Sequence, residues 1–91
     1  MKRPTTYNAT KDSFNALKHK DGKKFSDLDY MLMLGAYVND CKTKNKAINY
    51  NNYDPLICDF AEQIFEEYNN NNGENAEALA GVIARSFDLN N

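Results

Sequence analysis

The sequence predicts an all-α fold, a small single-domain bundle of about four helices. Apolar residues recur at helical spacing in four segments, and residues that start helices precede them. Asparagine-rich stretches, such as 69–72, separate the segments and suit helix ends and turns. Only 47–50 alternates like a strand, and too briefly to form one. A chain of 91 residues fits one domain, which we assign to residues 1–91.

The first helix is predicted from about Tyr7 to His19, with Thr5 or Thr6 as its N-cap. Its apolar stripe is narrow because few of its residues are hydrophobic. The stripe consists of Tyr7, Thr10, Phe14 and Leu17. Gly22 is the natural left-handed stop in the basic segment that follows.

The second helix is predicted over residues 27–42, since Ser26 is a good N-cap and Asp27 and Asp29 face the positive end of the helix dipole. Its apolar residues cover more than one face, so we expect it to be the central helix, packed on two sides. These residues are Leu28, Met31, Leu32, Leu34, Ala36, Tyr37, Val38 and Cys41.

Residues 43–53 have no apolar period and are predicted to be a connector. Asp54 followed by Pro55 is the most specific helix start in the chain, and the third helix is predicted over residues 55–68. Its wide apolar face contains Leu56, Ile57, Phe60, Ala61, Ile64, Phe65 and Tyr68.

The fourth helix is predicted over residues 76–87, with Asn75 as its cap. Ala76, Ala80 and Ala84 lie above one another at four-residue spacing, which permits close approach of a neighbouring helix. That neighbour belongs either to the same chain or to a second copy. We therefore include a homo-oligomer through this helix among the expected partners.

Composition predicts a cytoplasmic protein, because no stretch of about 18 apolar residues and no secretory leader is present. Cys41 and Cys58 are then expected to be reduced and buried. The net charge of −2 is unevenly distributed. Residues 1–24 hold seven Lys or Arg against two Asp, and residues 25–91 hold four against eleven acidic residues.

No catalytic residue, metal site or cofactor is predicted. The one histidine, His19, has no motif linking it to a nucleophile, and the two cysteines are isolated. The carboxylates of Asp27 and Asp29 are explained by helix capping, and no glycine-rich phosphate loop is present. We therefore expect a protein that is not an enzyme.

Two surfaces remain as candidate binding sites. The first is acidic and aromatic, as expected where a protein docks on a basic partner. It consists of Tyr50, Tyr53, Asp59, Glu62, Glu66, Glu67 and Tyr68. The second is basic, and lysines of this kind bind phosphates. It consists of Lys11, Lys18, Lys20, Lys23 and Lys24, with Tyr7.

By exclusion, the sequence favours a non-catalytic protein-binding module that uses the acidic and aromatic surface. Small helical inhibitors or adaptors of a phage or mobile element, acting on a host protein, have this length and composition. The alternative is nucleic-acid or nucleotide binding through the basic N-terminal segment, which would weaken steeply with salt.

Overall fold

The computed structural model describes residues 11–16, 26–50 and 53–89, and every regular element within these ranges is an α-helix. Helix α1 is described over residues 11–16. It is followed by α2 (Asp27–Thr43), α3 (Pro55–Asn69) and α4 (Gly73–Ser86). The predicted all-α bundle of four helices is confirmed. The rest of the predicted first helix, with the tyrosine at its start, lies outside the described residues.

The starts of α2 and α3 are fixed by side-chain caps. The Ser26 hydroxyl accepts a hydrogen bond from the Asp29 N–H at 3.1 Å, and the Asp29 carboxylate accepts one from the Ser26 N–H at 3.2 Å. The Asp54 carboxylate accepts from the Leu56 N–H at 2.8 Å, with Pro55 at the first helical position. Each cap contributes about 1 kcal/mol to helix stability. Both predicted caps are confirmed.

The predicted start of α4 is wrong by three residues. The helix begins at Gly73, so Asn75 lies inside its first turn instead of capping it. The Ala76 N–H already donates to the Asn72 carbonyl at 3.0 Å, which makes Asn72 the N-cap residue. Its side chain does not cap the helix but donates to the Glu67 carboxylate at 3.0 Å. The last turn of α3 thus determines where α4 begins.

Helices α2, α3 and α4 end in the same backbone motif, with Asn45, Asn71 and Asp88 in the left-handed region at φ of 55°, 65° and 54°. In each case the next residue donates its N–H to a carbonyl five residues earlier. These bonds run from Lys46 to Cys41 at 2.8 Å, from Asn72 to Glu67 at 3.1 Å and from Leu89 to Ala84 at 2.7 Å. This is the Schellman ending, here formed without glycine.

Helix α2 is central and packs against both α3 and α4. The crossing with α3 is close because Gly35 has no side chain and lies against the backbone of Ala61. The alanine stripe of α4 is fully buried within the chain itself. Its neighbour is therefore internal, and any contact between copies through α4 would use the exposed side of that helix, where Val82 is 47% exposed.

Two residues of the predicted apolar face of α3 are exposed instead. Leu56 is 50% exposed in the first turn, and Tyr68 is 47% exposed in the last turn. The reason is that the core contacts one side of the helix, where Ile57, Ala61 and Ile64 are buried, and Leu56 and Tyr68 lie outside that side.

Helix α1 packs against α2 and against the residues that follow α4. Phe14 is buried against Tyr30 of α2, with ring centroids 4.3 Å apart in an edge-to-face arrangement. The Lys11 ammonium lies 3.4 Å from the Asp88 carboxylate, and the neighbouring Leu89 side chain is fully buried.

The connector after α2 returns alongside that helix. The Asn49 N–H donates to the Tyr37 hydroxyl at 3.1 Å, and the Tyr53 ring lies 6.3 Å from the Tyr30 ring. The connector thereby brings polar and aromatic side chains against α2 at Tyr30 and at Tyr37.

Cys41 and Cys58 are buried free thiols. Among the described residues, no helix combines the length and hydrophobicity needed to cross a bilayer.

Candidate binding site

A cleft of about 280 Å³ opens between α2 and the returning connector. We call it the tyrosine cleft. It is lined by Tyr30, Met33, Leu34 and Tyr37 from α2 and by Asn49 and Tyr53 from the connector. The helical positions recur at three- and four-residue spacing, so they lie on one face of α2. A straight helix and a segment running beside it create the concavity.

The lining combines a buried interior with an exposed rim. Leu34 is 6% exposed and Tyr30 is 2% exposed, whereas Met33 and Tyr37 are 48% and 41% exposed. Two large, half-exposed side chains beside a concavity are typical of contact surfaces, because exposed apolar area is costly to leave in water. None of the six lining residues carries a formal charge at neutral pH.

Tyr30 has a hydroxyl with unused hydrogen-bonding capacity. Its ring is held between those of Phe14 and Tyr53. Its hydroxyl is buried and has no hydrogen-bond partner in the part of the chain that the structure describes. Burial raises the pKa of Tyr30 well above its ordinary value, and the nearby Tyr53 and Cys58 raise it further. The hydroxyl therefore remains protonated and able to donate.

Tyr37 is oriented by the connector. Its hydroxyl oxygen accepts the hydrogen bond from the Asn49 N–H, which leaves the hydroxyl proton available for a second partner. The ring stands at the rim of the cleft in a fixed position. Burial also raises the pKa of Tyr53 on the opposite wall, with a smaller contribution from Cys58.

An acidic face borders this region on α3. It consists of Asp59, Glu62 and Glu66, which share one side of the helix at spacings of three and four residues. The Lys42 ammonium donates to the Glu62 carboxylate at 2.6 Å. This hydrogen bond is the main cause of the raised pKa of Lys42, to which nearby Asp59 and Tyr50 add. Asp59 and Glu66 form no salt bridge within the described ranges and are exposed.

The acidic and aromatic surface predicted from the sequence is divided in the structure. Tyr50 and Tyr53 are linked by a backbone hydrogen bond of 2.7 Å and connect the acidic face with the tyrosine cleft. Tyr68 lies nine residues after Asp59 and is therefore on the opposite side of α3. Its ring lies against Gly73, at the other end of that helix. Glu67 is occupied by the Asn72 amide.

Of the predicted basic surface, only Lys11 is described, and its ammonium is engaged by Asp88. The remaining lysines, Lys18, Lys20, Lys23 and Lys24, and the aromatic residue Tyr7 lie outside the described residues.

Sequence reasoning missed the cleft, because it assigned Leu34 and Tyr37 to the core and gave Tyr30, Met33 and Asn49 no role. A signal was available in the spacing of Tyr30, Met33 and Tyr37, which places two tyrosines on one stripe of the central helix. The stripe alone does not indicate a concavity, since that depends on the returning connector.

The described residues include no group of three or more His, Cys, Asp or Glu side chains that could hold a metal ion. Burial raises the pKa of the Cys58 thiol to about 11, and the neighbouring carboxylates of Asp59 and Asp54 contribute. A thiol that stays protonated at neutral pH is a poor nucleophile.

Comparison with known proteins gives no relative, since no protein-family model, curated protein or solved structure matches the chain. The class of protein must therefore be argued from the cleft and the acidic face.

Proposed function

We propose that the protein is a non-catalytic protein-binding module that docks on a basic surface of another protein through the acidic face of α3 and the adjoining Tyr50. A module of this kind acts by occupying a surface, as an inhibitor or an adaptor does. The observation that carries the proposal is the alignment of Asp59, Glu62 and Glu66 on one helix face, with the half-buried Tyr50 near the same Lys42 ammonium.

Charge alone would not hold such a complex together. An exposed ion pair contributes about 0 to 1 kcal/mol, so three carboxylates provide orientation and faster association more than affinity. Tyrosine contributes a large contact area at low entropic cost, and tyrosines are enriched among the residues that dominate interface energies. The acidic face and the rim of the tyrosine cleft, joined through Tyr50 and Tyr53, provide both components.

The test compares two double variants that remove the same amount of charge. Asp59→Asn with Glu66→Gln neutralises the acidic face, whereas Glu74→Gln with Glu77→Gln neutralises two exposed carboxylates of α4. Tagged wild-type protein and both variants are used to capture material from host lysate after nuclease treatment. We expect one protein to be retained by the wild type and the α4 variant and to be reduced at least tenfold with the α3 variant.

Equal capture by all three proteins would contradict docking through α3. Captured material that disappears after nuclease treatment and at high salt would instead support the nucleic-acid alternative through the basic N-terminal segment.

A further inference from the structure

The tyrosine cleft has the size of a site for one ring. Its volume of about 280 Å³ lies just below the roughly 300–1,000 Å³ of small-molecule sites. It is larger than the roughly 150 Å³ that accommodates benzene in an engineered cavity. A single aromatic side chain with a polar substituent fits this space.

The lining selects for a neutral group that can form hydrogen bonds. Met33 and Leu34 offer apolar contacts, and Tyr53 offers a ring on the opposite wall. The Tyr37 hydroxyl has a proton to donate after accepting from Asn49. The Tyr30 hydroxyl is buried beyond the reach of solvent, so Tyr30 offers the cleft its ring and not its hydroxyl.

Carboxylates flank the cleft along the same face of α2. Asp29 lies one turn before Met33, and Asp40 lies about one turn after Tyr37, both exposed. The Asp40 carboxylate is paired with the Lys44 ammonium at 3.2 Å, so Asp29 is the flanking carboxylate that has no ion pair within the described residues. A ligand with a positive charge beside its ring therefore matches the rim.

We propose that the tyrosine cleft receives one tyrosine side chain of the partner protein, with a lysine or arginine next to it in the partner's sequence. This inference rests on the proposed function, because it names the residue by which the basic partner is anchored. A tyrosine hydroxyl can accept from the Tyr37 hydroxyl, which a phenylalanine ring and an indole N–H cannot do. The neighbouring cation faces Asp29.

The full chain is titrated with p-cresol and with toluene, the side-chain analogues of tyrosine and phenylalanine, while backbone amide shifts are recorded by NMR. We expect saturable shifts confined to residues 30–37, 49 and 53, and a dissociation constant at least threefold lower for p-cresol than for toluene. Shifts that do not saturate, or equal binding of both probes, would overturn the assignment of a tyrosine.

Two tryptophan variants at equally exposed positions control for surface changes. Met33→Trp places a large ring at the rim of the cleft, and Val82→Trp places one on α4, where the native residue is 47% exposed against 48% for Met33. We expect Met33→Trp to weaken p-cresol binding at least tenfold and Val82→Trp to leave it unchanged. Thermal unfolding of both variants verifies that they are folded. If Met33→Trp binds p-cresol as tightly as the wild type, the cleft is not the binding site.

The flanking charge is tested with N-acetyl-tyrosyl-lysine amide against N-acetyl-tyrosyl-glutamate amide. We expect the lysine peptide to bind several-fold more tightly, with a difference that shrinks at high salt. Equal binding of the two peptides would contradict a basic residue next to the partner's tyrosine.

Failure of the cleft and failure of the proposed function give different results. If neutralising Asp59 and Glu66 abolishes capture and the probes do not bind, the proposed binding function is supported and the tyrosine anchor is rejected. Binding of p-cresol with capture unaffected by the α3 variant supports the cleft and rejects docking through the acidic face.

Discussion

Gly35 of α2 lies against the carbonyl oxygen of Ala61 in α3, so closely that no side chain fits between the two helices. A β carbon on Gly35 would collide with that oxygen and would approach the Phe65 β carbon to 2.7 Å. Neither obstacle can rotate away. Gly35→Ala is therefore expected to lower the free energy of unfolding by about 2 to 3 kcal/mol, measured by urea denaturation.

Gly81→Ala is the matched control for this substitution. Its β carbon would meet only the end of the Arg85 side chain, at 3.3 Å, and that side chain can move. Here the better helix propensity of alanine should raise stability by about 0.5 to 1 kcal/mol. A stabilising effect of both substitutions would contradict the close crossing of α2 and α3.

The burial of Ala80 predicts a strong position dependence along α4. Ala80→Glu places a carboxylate in the core, where it has no partner, and is expected to cost at least about 3 kcal/mol or to unfold the protein. Ala78→Glu, at an exposed position of the same helix, should change stability by less than about 0.5 kcal/mol. Circular dichroism during thermal unfolding checks both. A folded Ala80→Glu protein of unchanged stability would mean that α4 is oriented differently.

The buried hydroxyl of Tyr30, which has no hydrogen-bond partner among the described residues, predicts that its removal stabilises the protein. Tyr30→Phe keeps the ring that packs on Phe14 and removes a buried polar group, so we expect stability to rise by about 1 kcal/mol. The same substitution should change p-cresol binding by less than twofold, since the buried hydroxyl does not reach the cleft. Chemical denaturation and the NMR titration measure the two effects. A destabilised Tyr30→Phe protein would show that the hydroxyl has a partner.

The left-handed residue after α3 predicts opposite effects of two small side chains. Asn71→Gly should raise the free energy of unfolding by about 0.5 to 1 kcal/mol, because glycine has no β carbon to strain in this conformation. Asn71→Ala should lower it by about 1 kcal/mol, since alanine lacks the local hydrogen bonding by which asparagine tolerates a positive φ. Urea denaturation checks both values. Equal stability of the two variants would argue against the Schellman ending.

The raised pKa of Cys58 makes stability depend on pH in the alkaline range. An unfolded thiol ionises near pH 8.5, whereas the folded pKa is about 11. The contribution is fully present below about pH 8.5, falls as the pH rises and is lost above about pH 11, with a total on the order of 2 kcal/mol. Denaturation of wild type and Cys58→Ala between pH 8 and 10 measures it. An equally steep loss in Cys58→Ala would assign the effect to other groups.

The parts of the fold predicted from sequence are those determined by neighbouring residues. The Ser26 cap and the Asp54–Pro55 start involve contacts within three residues, and both were visible as residue types at fixed spacing. The start of α4 is not visible in this way, because Asn72 and Asn75 are equally suitable N-caps by residue type. The choice between them depends on the Asn72 hydrogen bond to Glu67 in the preceding helix.

The candidate site was predicted only in part, for a similar reason. The acidic face follows from the periodicity of α3, so Asp59, Glu62 and Glu66 could be grouped from sequence alone. The tyrosine cleft depends on a connector without periodicity, whose Asn49 happens to meet Tyr37 of an earlier helix. Periodicity indicates which face of a helix is apolar. It does not indicate what covers that face.

The ion pair between Lys11 and Asp88 joins residues that are 77 positions apart. During synthesis on the ribosome α1 emerges before α2, and its Phe14 can pack on Tyr30 as soon as α2 has formed. The ion pair of Lys11 forms only after α4 has been made, which adds a long loop closure to the final docking of α1. We expect the order in which the helices become fixed to differ from the order in which they are translated, with α2 and α3 pairing before α1 is secured.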